Sequence, residues 1–237
     1  MPSGAVVPEL FGLFGPDARR RRLLRKAPSG PLADYLSVPF PARDTDWREV
    51  PFLALDLETT GGDPARDEIV SFGWVQIDRE RIVLSSARHR LVRLQGDMTA
   101  TSAVVHRITD DEAATGEPLE AVMAELLAAL AGRILVAHYI RTEVGFLEAT
   151  CRRLYGMRGY FPAVDTLALA AAARDRERRA PRKGDLRLGN LRRQAGLPRY
   201  PAHNALSDAL AAGELLLALA SARRGRIDLG MLLKPAG

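Results

Sequence analysis

Cysteine is nearly absent from the chain. Cys151 stands alone among 237 residues, which excludes an intrachain disulfide. Long apolar runs are absent too. A membrane-spanning helix needs roughly 18 consecutive apolar residues, and stretches such as Leu215–Ala220 fall far short. The N-terminus lacks the charged-then-apolar order of a signal peptide, because its arginines follow the apolar Leu10–Phe14. With no disulfide to form and no membrane segment, a cytoplasmic location is expected. Lysine is scarce at 3 residues against 31 arginines. A GC-rich coding bias accounts for such a ratio, and arginine is also the better bidentate partner for phosphate. No internal repeat is present.

What is there suits a folded domain. The chain is 47% hydrophobic and 27% charged, which argues against global disorder. A chain of this length buries about 70% of its unfolded surface, so it folds without a metal or disulfide staple. The net charge of +5 suits a polyanionic partner.

Residues 1–48 read as a separate extension, with one short basic helix around Arg19–Lys26 and then an irregular segment. Residues 49–224 read as the main domain and 225–237 as a C-terminal tail. From Pro51 the pattern is strand-like. Phe52–Leu57 is a short apolar run, and Ile69–Ile77, Ile82–Ser86 and His89–Leu94 follow as strand candidates in an antiparallel meander. Pro118 precedes a helical pattern over Leu119–Leu130. Ile134–Ala137 is a short strand, Thr142–Leu154 a helix, and Asp165 an N-cap for the helix Thr166–Ala173. Asn204–Arg224 is a final amphipathic helix. Strands first and then strands alternating with helices imply an α/β fold, a mixed sheet flanked by helices. Arg174–Arg193 holds nine basic and three acidic residues. It and Arg19–Lys26 are either solvated faces or contacts to a nucleic-acid backbone.

Three stretches carry chemistry. In Leu53-Ala54-Leu55-Asp56-Leu57-Glu58-Thr59-Thr60-Gly61, two carboxylates sit two apart on a strand, so they project to the same side. Two like charges at a buried strand end repel unless a cation neutralises them, and a divalent cation with hard oxygen ligands does so. A solvated strand end is the plainer alternative. In Leu135–Leu147, a strand ends in a polar turn and Glu143 opens a helix, where an acid also complements the helix dipole. In His203-Asn204-Ala205-Leu206-Ser207-Asp208, an aspartate lies inside an Ala/Leu-rich helix, where it is costly to bury unpaired. His203 is near enough to share that site, or else caps the helix.

In order and spacing these stretches resemble the motifs of the DEDDh superfamily of DnaQ-like 3′–5′ exonucleases. That superfamily includes the epsilon proofreading subunit of bacterial DNA polymerase III and free-standing relatives. Asp56–Gly61 is similar to the first motif and His203–Asp208 to the last. Ser102–Thr109 resembles a connector that usually reads H-G-I-T, with Arg107 in place of glycine, and Val164–Leu167 matches as well. The second motif usually reads A-H-N-x-x-F-D; here Tyr139 replaces Asn, Thr142 replaces Phe and Glu143 replaces Asp. The likeness runs from Pro51 to Ala222.

The resemblance implies a ribonuclease H-like exonuclease fold and two Mg²⁺ or Mn²⁺ ions held by Asp56, Glu58, Asp208 and Glu143. It implies His203 as general base, with Asp56, Glu58 and Asp208 completing the catalytic set. Thr59, Thr60 and His138 are expected substrate contacts, although Thr59 and Thr60 serve equally well as strand-to-turn hydrogen bonds. The substrate is then a nucleic acid with a free 3′ end, single-stranded and more readily DNA than RNA, releasing nucleoside 5′-monophosphates. A polymerase partner and independent action both remain open, as do an exoribonuclease and a degenerate, non-catalytic binding module.

Overall fold

A computed structural model describes residues 16–94, 116–176, 184–201 and 203–233. The connector Ser102–Thr109 and positions 177–183 of the basic segment lie outside the described residues. The strands are β1 (Phe52–Thr59), β2 (Ile69–Asp78), β3 (Arg81–Leu91), β4 (Ile134–Ala137) and β5 (Ala163–Asp165). They form one sheet in the order β3-β2-β1-β4-β5. The first three pair antiparallel, while β4 joins β1, and β5 joins β4, in parallel. The sheet is therefore mixed, as expected.

β1 and β2 are buried along nearly their whole length, because helices cover both faces of the sheet. The helix α3 (Leu119–Leu130) turns Leu119, Val122, Met123, Leu126, Leu127 and Leu130 inward at helical spacing. It packs on the face carrying Gln76, whose amide donates to Ala129 O at 3.3 Å. The opposite face receives α7 (Ala205–Ser221). This helix is lined with small residues: a Cβ added at Gly213 would stand 3.3 Å from the Ala54 Cβ. Ala54, Asp56 and Glu58 share that face by alternation. Between the sheet and α7, along the chain, come α4 (Arg141–Tyr155), α5 (Thr166–Arg176) and α6 (Leu188–Gln194).

Two expectations change. Ile82–Ser86 and His89–Leu94 are not separate strands, since one strand, β3, runs through Ser85-Ser86-Ala87. The Ser86 hydroxyl accepts from Gln76 N at 2.9 Å and donates to Val83 O at 2.6 Å, which carries the ladder across a bulge. The N-terminal segment is also more ordered than expected. After α1 (Pro16–Leu24) it forms a second helix, α2 (Pro31–Ser37), whose Leu32, Tyr35 and Leu36 are buried in the main core.

Residues on both sides of the boundaries expected at 48 and 224 share that core. The Tyr35 hydroxyl donates to Tyr160 O at 2.8 Å, and its ring stacks on Phe161 at 5.6 Å. Trp47, Ile227, Leu229 and Leu232 are buried, the last two on α8 (Leu229–Leu232). The two ends of the fold pair through Trp47 N to Ile227 O at 3.1 Å and Leu229 N to Thr45 O at 2.9 Å. Each buried side chain of this size contributes about 1.5–3 kcal/mol, so these segments belong to the folded unit.

Candidate active site

β1 carries Asp56 and Glu58 to its C-terminal end on the α7 face. Opposite Asp56 on β2 stands Gly73. A Cβ there would lie 2.1 Å from Ala205 C and Leu206 N, so only glycine lets the first turn of α7 rest on the sheet at this point. That approach delivers Asp208. One carboxylate oxygen from each of Asp56, Glu58 and Asp208 lies within 4.8 Å of the others.

Asn204 caps α7, accepting from Ser207 N at 3.1 Å. Asp208 accepts from His203 N at 2.8 Å. His203 has a left-handed φ of 67° and an exposed side chain at the lip of the site. The cap of α7 is thus Asn204, and the imidazole of His203 is left available.

The electrostatics of this corner are those of crowded, buried acids. Burial raises Asp56 well above the carboxylate range, reinforced by Glu143, Asp208 and Glu58. Burial and then Asp208 raise Glu58 to about 7, against a lowering by His203. Asp208 is raised by burial, which outweighs the hydrogen bond from His203 N. Glu143, in the first turn of α4, is 3% exposed and raised to about 8 by burial and by the nearby Asp165. Its Oε2 has no hydrogen-bond partner among the described residues. Buried carboxylates of this kind call for a cation. The donor set, all hard oxygen, fits Mg²⁺ or Mn²⁺. Glu143 stands outside the 4.8 Å triad, beside Asp56.

The other expected contacts are occupied within the protein. The Thr59 hydroxyl donates to Gly61 O at 2.7 Å, and the Thr60 hydroxyl accepts from Glu68 N at 3.0 Å. Both are strand-to-turn bonds. His138 engages Thr166 Oγ1 through Nδ1 and Leu186 O through Nε2, each at 2.9 Å. Its ring thereby ties the segment before α6 to the end of β4, and neither nitrogen is left for a substrate. Burial also lowers its pKa.

The basic runs divide in the same way. Arg20 is buried, bound to Asp17 and to the carbonyls of Leu36 and Ser37 at the end of α2, and Arg19 lies over the Tyr160 ring at 4.4 Å. Arg192 is buried, donating to Ala211 O and Pro198 O and pairing with Glu214 at 2.6 Å. Arg174 binds Asp185 and Gln194. These arginines hold the fold. Outside those runs, a cleft of about 820 Å³ lined in part by Thr60 presents Arg152, Arg153 and Arg66, the last paired with Asp63 at 2.8 Å. Sequence reasoning passed over Gly73, for which an isolated glycine inside a strand was the available signal.

Comparison with known proteins agrees with this geometry. The exonuclease family model RNase_T matches residues 53–216. The epsilon subunit of DNA polymerase III from Treponema pallidum is 30% identical over 177 residues, covering 72% of this chain and 79% of that protein. A PolC-type DNA polymerase III from Thermotoga petrophila is 29% identical over 174 residues, covering 73% of this chain; the chain spans only 12% of that relative's length. Among solved structures, E. coli Exonuclease I in complex with a 5cy-dT13 oligonucleotide superposes with a TM-score of 0.60 at 18% identity, over 74% of this chain and 41% of that one. Cell-death related nuclease 4 gives a TM-score of 0.62 at 17% identity, over 72% and 64%. The fold is that of the ribonuclease H-like exonucleases.

Proposed function

Since the chain belongs to the RNase_T exonuclease family, we propose that it removes nucleotides one at a time from the 3′ end of single-stranded DNA, using two divalent cations. The observation that carries this reading is the convergence of Asp56, Glu58 and Asp208 within 4.8 Å, beside a Glu143 whose Oε2 has no hydrogen-bond partner among the described residues. Asp56, Glu58 and Asp208 would hold one ion, and Glu143 with Asp56 would hold the other. Bound there, the cations supply Lewis acidity and neutralise charge at the phosphodiester.

The chain's own groups do the rest. His203 takes a proton from the attacking water onto its free imidazole nitrogen. The water oxygen bonds to phosphorus, and the bond from phosphorus to the 3′ oxygen of the preceding nucleotide breaks. That oxygen takes a proton from solvent water as it leaves, His203 returns its own proton to solvent, and a nucleoside 5′-monophosphate is released. The left-handed backbone at His203, held by Asp208, fixes where the imidazole stands. Arg66, Arg152 and Arg153 along the cleft at Thr60 suit the phosphates of the incoming strand.

The test is digestion of one oligonucleotide labelled at either end, with Mg²⁺, Mn²⁺ or EDTA, alongside a matched RNA. A 5′-labelled DNA shortening by single nucleotides only with metal is the expected result. Loss from the 5′ end, or turnover undiminished in Asp208→Ala, overturns the reading. Faster digestion of the RNA transfers the proposal to an exoribonuclease.

A further inference from the structure

We propose that Tyr139 is a stacking platform for a nucleobase at the 3′ end of the substrate strand, a reading that rests on the function proposed above. Tyr139 follows β4, the parallel neighbour of β1. Ala54 is in register with Val136, and β4 ends one residue later at Ala137, so Tyr139 lies in the turn at the C-terminal edge of the sheet, the edge to which the parallel β1 carries Asp56 and Glu58. Its neighbour His138 feels the charges of Asp165 and Asp208.

Three observations single it out. The residue is 49% exposed, a large aromatic left to solvent. It makes none of the ring–ring or cation–ring contacts found among the described residues. Its backbone is held in a conformation tyrosine rarely adopts, with φ at 70°. Both backbone polar groups are fixed. The Tyr139 N–H donates to Asp165 Oδ1 at 2.9 Å, and its carbonyl accepts from Thr142 N at 3.2 Å. Asp165 is itself anchored, accepting from Leu167 N at 2.9 Å with the same oxygen.

His203 repeats this device. It is also left-handed, and its N–H is also held by a carboxylate, that of Asp208. Tyr139 and His203 thus each carry a ring on a backbone pinned in an unfavourable region, an arrangement that persists only where the surroundings impose it. The His203 ring has a proton to move. The Tyr139 ring has none to move near neutral pH, and on its fixed backbone it offers an exposed flat surface on which a base can stack.

The experiment uses DNA oligonucleotides ending in 2-aminopurine, whose fluorescence is quenched by stacking, and matched oligonucleotides ending in an abasic residue. Wild type, Tyr139→Phe, Tyr139→Ala and Tyr139→Asn are compared for quenching without divalent cation and for KM and kcat with it. Asparagine tolerates the left-handed backbone, so Tyr139→Asn separates the ring from the turn. Tyr139→Phe should match wild type. Tyr139→Ala and Tyr139→Asn should lose quenching and raise KM by about 5- to 100-fold on base-terminated ends. On abasic ends all four should be alike.

Several results overturn the proposal. These are unquenched 2-aminopurine in the wild type, retained quenching and KM in Tyr139→Asn, or an equal penalty on abasic ends. A Tyr139→Phe variant as impaired as Tyr139→Ala would make the hydroxyl the contact and overturn it as well. Wild-type quenching without hydrolysis under any metal would instead remove the nuclease reading and leave the stacking in place.

Discussion

Replacing Gly73 with alanine puts a methyl carbon 2.1 Å from the carbonyl carbon of Ala205 and the amide nitrogen of Leu206. Ordinary carbon contacts begin at about 3.5 Å, so sheet and helix must part by more than about 1 Å. Both colliding atoms are backbone, and no rotamer change relieves them. Asp208 lies in the same helical turn, and the oxygens of the triad span no more than 4.8 Å. The displacement is therefore a sizeable fraction of the site itself. Overpacking of this kind costs about 1–3 kcal/mol, and a melting point lower by roughly 2–10 °C follows for a domain of this size. A misplacement near 1 Å lowers turnover by about 100-fold, and calorimetric titration with Mn²⁺ should show weakened binding. Gly213→Ala provides the contrast. It lies further along α7, where the new methyl meets the flexible Ile77 Cδ1 at 3.1 Å and the Ala54 Cβ at 3.3 Å. That variant should lose some stability while keeping metal affinity. A Gly73→Ala protein with wild-type turnover and Mn²⁺ affinity would refute the argument that this glycine sets the position of Asp208.

Removing metal should make stability depend on pH in a particular direction. Glu58 and Glu143 are raised to about 7 and about 8 from an ordinary 4.5, so the folded state binds more protons than the unfolded state across that range. Their contribution to stability in EDTA is then present at pH 4.5 and lost as pH rises to 8. Thermal melts in EDTA should show it, and Glu143→Gln should flatten the curve. His203→Ala should lower kcat by about 10²–10⁴ with metal affinity unchanged in calorimetry; a lost metal site would instead make His203 a ligand. Glu143→Asp should keep activity and narrow the preference for Mn²⁺ over Mg²⁺, because Mg²⁺ demands stricter octahedral geometry than a longer arm provides. Titration of both ions against both proteins reads this directly, and an unchanged ratio counts against a metal-holding role for Glu143.

Much of the site is written locally. The two-residue spacing of Asp56 and Glu58 on an apolar strand fixes their common face, and Ile134–Ala137 and Leu119–Leu130 lie where periodicity puts them. What was illegible depends on partners distant in sequence. Nothing near Tyr35 or Trp47 shows that they are covered by Tyr160 and Ile227. Nor does a run of arginines show which guanidinium finds carbonyls, as Arg20 and Arg192 do, and which meets solvent. The hydroxyls of Thr59 and Thr60 had two equal readings because a bond to the adjacent turn and a bond to a sugar need the same residue. Tyr139 was visible only as a departure from a motif. Its left-handed backbone, and the aspartate that holds it, required the packed structure.

The bridge between Asp46 and Asp228, with its flanking bonds, closes the fold like a clasp. The segment leading into β1 and the one following α7 meet there, so neither frays independently: pulling either one away exposes the edge on which the other rests.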